Sequence, residues 1–270
     1  MSELLDAIFK LNIFKARKTP KQDLRAFIAR FSDKYVAADL VRVGAEYDGG
    51  YLLPKIFEYI EYCFSPGVDY NSSFEAELSN KYGIKCFLAD ASVSEPALDN
   101  VNFDFEPKYL SCRTEGDYIT LSQWINDKIG DDDGGKILQM DIEGAEYEVL
   151  TYESADTLAK FSVIIIEFHD FQNIAESTFL KVTSSIFEKL FTNFSICHAH
   201  PNNYGRSIKY QSFEIPSLLE VSFIRNDLLD HCKVGKPLKL PNELDRKNVP
   251  NRPPIYLEEK WWSKNASDTP

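Results

Sequence analysis

Two short apolar runs dominate the pattern of the chain. Ile137-Leu138-Gln139-Met140 follows the turn-like Asp131-Asp132-Asp133-Gly134-Gly135, and Phe161-Ser162-Val163-Ile164-Ile165-Ile166 comes one helical segment later. Runs of this length, without alternation and bounded by turn residues, read as strands covered on both faces of a parallel sheet. Each ends abruptly in polar chemistry, with Asp141 and Glu143 after the first and Glu167-Phe168-His169 closing the second. Gly144 then permits a sharp turn into Ala145-Glu146-Tyr147-Glu148-Val149-Leu150, a run of good helix formers. Because strand side chains alternate, Glu167 and His169 share one face.

The remaining pattern fits around these two strands. Leu4–Phe14 and Asp23–Phe31 read as amphipathic helices, and Leu40–Gly44 with Tyr51–Leu53 form a hairpin about Asp48-Gly49-Gly50. Ile60–Phe64 is a strand, Ser65–Ser73 a loop, and Ser72 with Glu75 predicts a capping box for a helix that Gly83 stops. Ile84–Ala89 is the next strand and ends in Asp90, where doubly wound folds hold a ribose through its hydroxyls. Asp104, Glu106 and Pro107 interrupt the following stretch, leaving one strand around Lys108–Cys112; Thr120 or Ser122 then caps a helix. Phe179–Phe191 is helical by period, and Ser195–His200 with Leu219–Arg225 predict an antiparallel edge around a polar excursion. His198 and His200 alternate onto one face, which fits metal ligation and mere exposure equally. Six of the thirteen prolines follow His231, so the chain should end in an extended tail that Trp261 and Trp262 anchor on the body or a neighbouring subunit.

The fold class is therefore α/β, a doubly wound and mostly parallel sheet with a late antiparallel hairpin. Residues 1–35 are expected as a helical extension, 36–230 as the catalytic domain and 231–270 as a proline-rich tail.

Composition narrows the function classes. The chain has 270 residues, 44% hydrophobic and 27% charged, with a formal charge of −12. That charge argues against nucleic acid, which needs a basic footprint. No apolar run approaches the ~20 residues of a membrane span and no signal-peptide pattern opens the chain, so a cytoplasmic location is expected. Residues 1–30 nevertheless carry +4. A solvated helix face is the favoured reading of that patch, and peripheral contact with an anionic membrane or a partner is the alternative. The five cysteines lack the close spacing of a zinc site and read as small buried hydrophobes.

The loop after the Ile60–Phe64 strand selects the nucleotide. It holds one glycine, Gly67, and a carboxylate, Asp69, which would repel phosphate at close range. An adenosine ligand without phosphates, bearing an amine and a sulfonium, suits that charge.

Residues from about Val41 to Arg225 resemble the FkbM-type S-adenosylmethionine-dependent methyltransferases. The likeness lies in Leu138-Gln139-Met140-Asp141-Ile142-Glu143-Gly144-Ala145-Glu146, in Ile164-Ile165-Ile166-Glu167-Phe168-His169, and in the order of elements between them. The stretches Arg42-Val43-Gly44 through Tyr51 and His200-Pro201-Asn202-Asn203-Tyr204 add to it. The resemblance implies a seven-stranded, Rossmann-like methyltransferase sheet. It also implies S-adenosylmethionine bound along Ser65, Gly67, Asp69, Ser72, Asp90 and Ala91, and O-methylation of a saccharide or other small metabolite. The loop Ser65–Asp69 departs from the family's usual glycine repeat.

The expected chemistry is an in-line displacement, with His169 as general base and Asp141 and Glu143 orienting it or binding sugar hydroxyls. The same three residues form a candidate site for Mg²⁺ or Mn²⁺. Glu167, His200 and Asn203 are expected on the acceptor side. Two other classes remain open: a metal-dependent hydrolase using the same cluster, and a non-catalytic module in a polysaccharide-assembly complex. A homo-oligomer is among the expected partners, beside a small-molecule or glycan acceptor.

Overall fold

The computed structural model describes residues 17–234 and 239–264. The predicted helix Leu4–Phe14 lies outside the described residues, as do Pro237 and Pro270. The second predicted helix is α1 (Lys21–Asp33), which buries Leu24, Phe27, Ile28 and Phe31. A hairpin of β1 (Leu40–Gly44) and β2 (Gly50–Pro54) follows, as the Asp-Gly-Gly turn predicts. The central elements are β3 (Tyr62–Pro66), α2 (Ser73–Tyr82), β4 (Lys85–Ala89) and β5 (Phe103–Glu106). A short pair, β6 (Tyr109–Leu110) and β7 (Tyr118–Ile119), leads to α3 (Leu121–Ile129) and β8 (Lys136–Met140). Then come α4 (Glu146–Tyr152), α5 (Ala155–Ala159), β9 (Val163–Phe168), α6 (Ser177–Asn193) and β10 (Phe194–Pro201). The polar excursion carries its own hairpin, β11 (Ser207–Tyr210) and β12 (Phe213–Pro216), before β13 (Leu219–Arg225).

Seven strands form one sheet in the order β10-β13-β9-β8-β3-β4-β5. The run from β9 to β5 is parallel, and β13 lies antiparallel to both β9 and β10. The strand order reverses between β3 and β8, so their carboxyl ends flank a crevice of the kind that binds ligands in doubly wound sheets.

Period-two alternation divides the core between the two faces of the sheet. Phe64, Phe87, Leu138, Ile164, Ile166 and Phe168 point to the side covered by α1, α3, α4 and α6. Cys63, Cys86, Leu88, Ile137, Val163 and Ile165 point to the other side, under α2 and the β1–β2 hairpin. Four of the five cysteines are buried and all are free thiols, as their apolar contexts predict. On the hairpin side the alternation changes chemistry at the carboxyl ends of the strands. Continuing inward-facing positions brings up Ser65 on β3, Gln139 and Asp141 at β8, and Glu167 and His169 at β9. The row runs on because Glu220 pairs with Glu167 and His200 with Glu220 across the antiparallel strands. A bulge between Ile196 and His198 resets the register of β10, so His198 and His200 join this face although Cys197 already faces it.

Two expectations need correction. The edge strand β5 was hidden by its acids: Asp104 and Glu106 both pair with Lys128 of α3, at 2.8 and 2.5 Å. The capping box does not form, because the Ser72 hydroxyl accepts the Leu98 N–H at 2.9 Å and Glu75 turns inward to Ser65. The N-terminus of α2 is served instead by Asn71, whose Oδ1 accepts the Ser73 N–H at 3.1 Å. Gly83 supplies the left-handed stop as predicted, and Thr120 caps α3 by accepting from Gln123 N.

The tail is anchored on the body. Trp261 is fully buried against Phe27, Phe31 and Phe171, with centroids 5.5–6.3 Å apart. Before reaching it the chain crosses the carboxyl edge of the sheet, where Asn203 Nδ2 donates to the carbonyls of Val249, Arg252 and Pro253.

Candidate active site

A cavity of about 760 Å³ opens at the crevice between β3 and β8. Gly67, Asp69, Asp90, Asp141 and Glu143 line it, together with Glu75, which the sequence pattern assigned to a capping box instead. Its mouth carries Tyr109 and Tyr118, whose rings lie 5.9 Å apart. The loop after β3 is pressed against β8. Gly67 has φ 81°, and a Cβ there would fall 1.7 Å from the Asp141 carbonyl oxygen, so only glycine fits. The Asp69 N–H donates to Asp90 Oδ2 at 2.8 Å, while Ser92 donates through its N–H and hydroxyl to Oδ1. Asp90 Oδ2, which accepts one bond, retains acceptor capacity for a further hydroxyl.

Ser65 and Ser72 do not line the cavity, and neither does Ala91. Ser65 lies below it in a buried cluster with Glu75 and Gln139, its Oγ 2.6 Å from Gln139 Oε1 and also in contact with Glu75 Oε1. One hydroxyl proton serves only one of these oxygens, so the other contact requires a proton on Glu75 or the Gln139 amide turned over. Burial raises the Glu75 carboxyl to about 7, against the lowering effect of Ser65, and Glu75 Oε2 is buried without a hydrogen-bond partner.

His169 is held by a residue that the sequence reading left as a helix former. Glu146, fully buried at the first turn of α4, accepts through Oε1 from Ile142 N at 3.1 Å, Gly144 N at 3.2 Å and His169 Nδ1 at 3.0 Å. A carboxylate accepting at Nδ1 fixes the proton there and leaves Nε2 free to act. That nitrogen lies 3.4 Å from Glu143, 3.8 Å from Asp141 and 3.8 Å from Glu167. Burial pushes the imidazole down, but Glu146, Asp141 and Glu167 outweigh it and raise His169 to about 9. Asp141 is driven well above the ordinary carboxylate range by burial and by Glu167, and Glu167 rises to about 8 through burial and Glu220. The cluster is thus so crowded with carboxyl groups that they hold protons more tightly than free acids do.

Asp141, Glu167 and His169 offer ligand atoms that all lie within 4.8 Å of one another. Glu143, expected in that set, has a side chain 89% exposed on a left-handed turn. Two further side chains steady the group: Tyr51 OH donates to Asp141 Oδ2 at 3.4 Å, and Asn202 Nδ2 donates to both oxygens of Glu167. Both lie in stretches that carry the family likeness, Arg42–Tyr51 and His200–Tyr204, but their contacts with Asp141 and Glu167 span distant segments and have no local signature. The expected acceptor residues separate. Glu167 belongs to the cluster, whereas His200 and Asn203 line a second cavity on the far side of Glu220.

Comparison with known proteins bears on this arrangement. Residues 100–192 match the Methyltransferase FkbM domain. The FkbM match takes in β8, α4 and β9, and so Asp141, Glu146, Glu167 and His169, in agreement with the likeness seen in the sequence. No curated protein matches the chain in sequence. Among solved structures, M. capricolum TrmK in complex with S-adenosyl-homocysteine aligns at 11% identity and TM-score 0.29, over 64% of this chain and 66% of its own. The chain therefore spans just under two thirds of that structure's length. The N-methyltransferase NodS from Bradyrhizobium japonicum WM9 aligns at 8% identity and TM-score 0.31, over 76% of this chain and 96% of its own. No helix among the described residues is long and apolar enough to cross a membrane.

Proposed function

We propose that this protein transfers the methyl group of S-adenosylmethionine to a hydroxyl of a saccharide. The observation that carries the reading is one cavity with two differently equipped ends. One end has the Asp90 carboxylate, suited to ribose hydroxyls, and the other has Asp141 and Glu143, which stand 3.8 and 3.4 Å from Nε2 of the imidazole that Glu146 orients. The FkbM match over the second end and the absence of a phosphate-binding glycine repeat at the first both support it.

Glu75 supplies the complement for the cofactor's amino-acid end. A buried carboxylate with one unpartnered oxygen, raised to about 7, is stabilised by an arriving ammonium group. Held in this way, the cofactor would turn its sulfonium toward the Asp141 end of the cavity. The acceptor oxygen attacks the methyl carbon, the carbon–sulfur bond breaks to give a neutral thioether, and the hydroxyl proton passes to His169 Nε2. A raised imidazole is protonated at neutral pH when the site is empty of cations. The sulfonium opposes that second positive charge and returns Nε2 toward its neutral, basic form.

The donor set of Asp141, Glu167 and His169 also fits a hard divalent cation such as Mg²⁺ or Mn²⁺, with Glu146 and Asn202 orienting two of the donors. Bound there, it would lower the pKa of a coordinated hydroxyl.

Calorimetric titration with S-adenosylhomocysteine, followed by transfer of labelled methyl from S-adenosylmethionine to a panel of saccharides, tests the proposal. Micromolar binding and label on a sugar oxygen are expected. Absence of heat at high micromolar ligand removes the cofactor, and label found on nitrogen removes the acceptor.

A further inference from the structure

A second cavity, of about 410 Å³, lies where the tail crosses the end of β10, and nothing in the methyl-transfer reading uses it. It is within the size range of small-molecule sites. Its walls are Leu240, Pro241, Pro254, Ile255 and Leu257, and its rim carries the exposed ring of Tyr256. Arg246 and Lys247 also line it.

Both cations face this cavity in a chain of net charge −12. Among the described residues neither makes an ion pair with a carboxylate. Arg246 donates to the carbonyls of Glu243 and Asp245, and Lys247 donates to that of Pro250. Carbonyl oxygens position a cation without neutralising it. The one acid in the lining, Asp245, is already engaged by His198 at 2.8 Å and His200 at 3.7 Å. Against the upward push of burial, those imidazoles hold it well below the usual carboxylate range. The cavity is therefore positive, partly apolar and bordered by an exposed aromatic face, which together suit a sugar ring bearing an acidic group.

Its position ties it to the acceptor. His200 lines this cavity and stands in the same cross-strand row as Glu220 and Glu167. From β10 to β8 is three strand spacings, roughly 14 Å. Both cavities open at the carboxyl edge of the parallel strands, so a ligand lying along that edge reaches both.

We propose that the cavity lined by Arg246, Lys247 and Tyr256 is a subsite for an anionic sugar unit of the acceptor, which is accordingly an oligosaccharide rather than a monosaccharide. This rests on the saccharide O-methylation reading and specifies its substrate class. The shared recognition chemistry is a sugar carboxylate or a sugar phosphate.

The test is calorimetry on the full chain at low ionic strength with D-glucuronate, glucose 6-phosphate and neutral glucose, in the wild type and in the double variant Arg246→Ala/Lys247→Ala. Arg246 is exposed and Lys247 half-buried, and neither belongs to the apolar core, so the variant is expected to fold. S-adenosylhomocysteine is titrated in parallel. Expected is binding of one or both anionic sugars, about tenfold weaker for glucose and for the double variant, with unchanged affinity for S-adenosylhomocysteine. The stronger of the two anionic probes identifies carboxylate or phosphate as the natural group. Glucose binding as tightly as either anion, full retention of binding in the double variant, or no binding of any sugar overturns the subsite. Loss of S-adenosylhomocysteine binding alone would instead sink the methyl-transfer reading and leave an anionic sugar site standing.

Discussion

Glu146 Oε1 accepts the Nδ1 proton of His169 at 3.0 Å from a position with no solvent exposure. The same oxygen ties down two backbone amides of the turn after β8. The strand tip that carries Asp141 and the one that carries His169 are thereby locked to each other through a single carboxylate.

Replacing that carboxylate should change pH dependence as well as rate. In Glu146→Gln the charge that raises His169 is removed and the hydrogen bond loses its ionic character, so its pKa falls from about 9. A general base works in its neutral form, so the rising limb of kcat against pH should move to lower pH, with kcat down about 10- to 100-fold. Asp141, Glu143 and Glu167 also face this imidazole, and S-adenosylhomocysteine affinity should stay constant to show that the cavity is intact. The linkage to stability has a definite sign. A raised histidine contributes stability that is complete below its ordinary pKa and disappears as pH passes through about 9. An unmoved rate limb would show that Glu146 acts only in folding.

Glu75 makes the opposite contribution. Its folded pKa of about 7 exceeds the ordinary carboxylate value, so the native state holds the extra proton and stability declines as pH climbs toward 7. Glu75→Gln should flatten that decline, raising neutral-pH stability by at most roughly 3 kcal/mol, while weakening S-adenosylmethionine about tenfold through loss of charge. Denaturant melts across pH and calorimetry read the two effects separately. A variant that binds the cofactor as tightly as wild type would remove Glu75 from the site.

Cation binding separates three carboxylates. Mn²⁺ titration followed by electron paramagnetic resonance should show a site that Asp141→Asn or Glu167→Gln abolishes and that Glu143→Gln leaves near wild type. The last side chain is 89% exposed and stands outside the compact donor set. Equal loss in all three variants would restore the set expected from sequence.

Trp261→Ala should cost about 3–5 kcal/mol, the usual range for emptying a large aromatic site. Its ring is fully buried against α1 and Phe171. A drop within the noise of a chemical melt would mean that the tail is held elsewhere.

Local pattern was enough to read the two apolar strands, their acidic tips and the β1–β2 turn, because periodicity and turn chemistry are written in neighbouring residues. It misled where a side chain had a distant partner. Ser72 and Glu75 have capping-box spacing, yet Leu98 and Ser65 claim them. Asp104 and Glu106 looked like breaks in a strand because their neutralising Lys128 lies on the following helix. Glu146 had a usable signal: it follows Gly144 closely enough to accept the orphan amides of the turn. Nothing local announced Asp245 or Asn248, which reach the row of strand tips from the tail.

Asn248 donates to Glu220 at 2.7 Å and to Asp48 at 3.1 Å, the latter across a separation of 200 residues. Such closure loses much chain entropy before any contact compensates, which slows it relative to hairpins and helices. The sheet can assemble while this last buckle is still undone, with the buried Glu220 and the surface Asp48 both waiting on one amide from the tail. Refolding followed by spectroscopy should reach native secondary structure first and ligand competence only in a later phase.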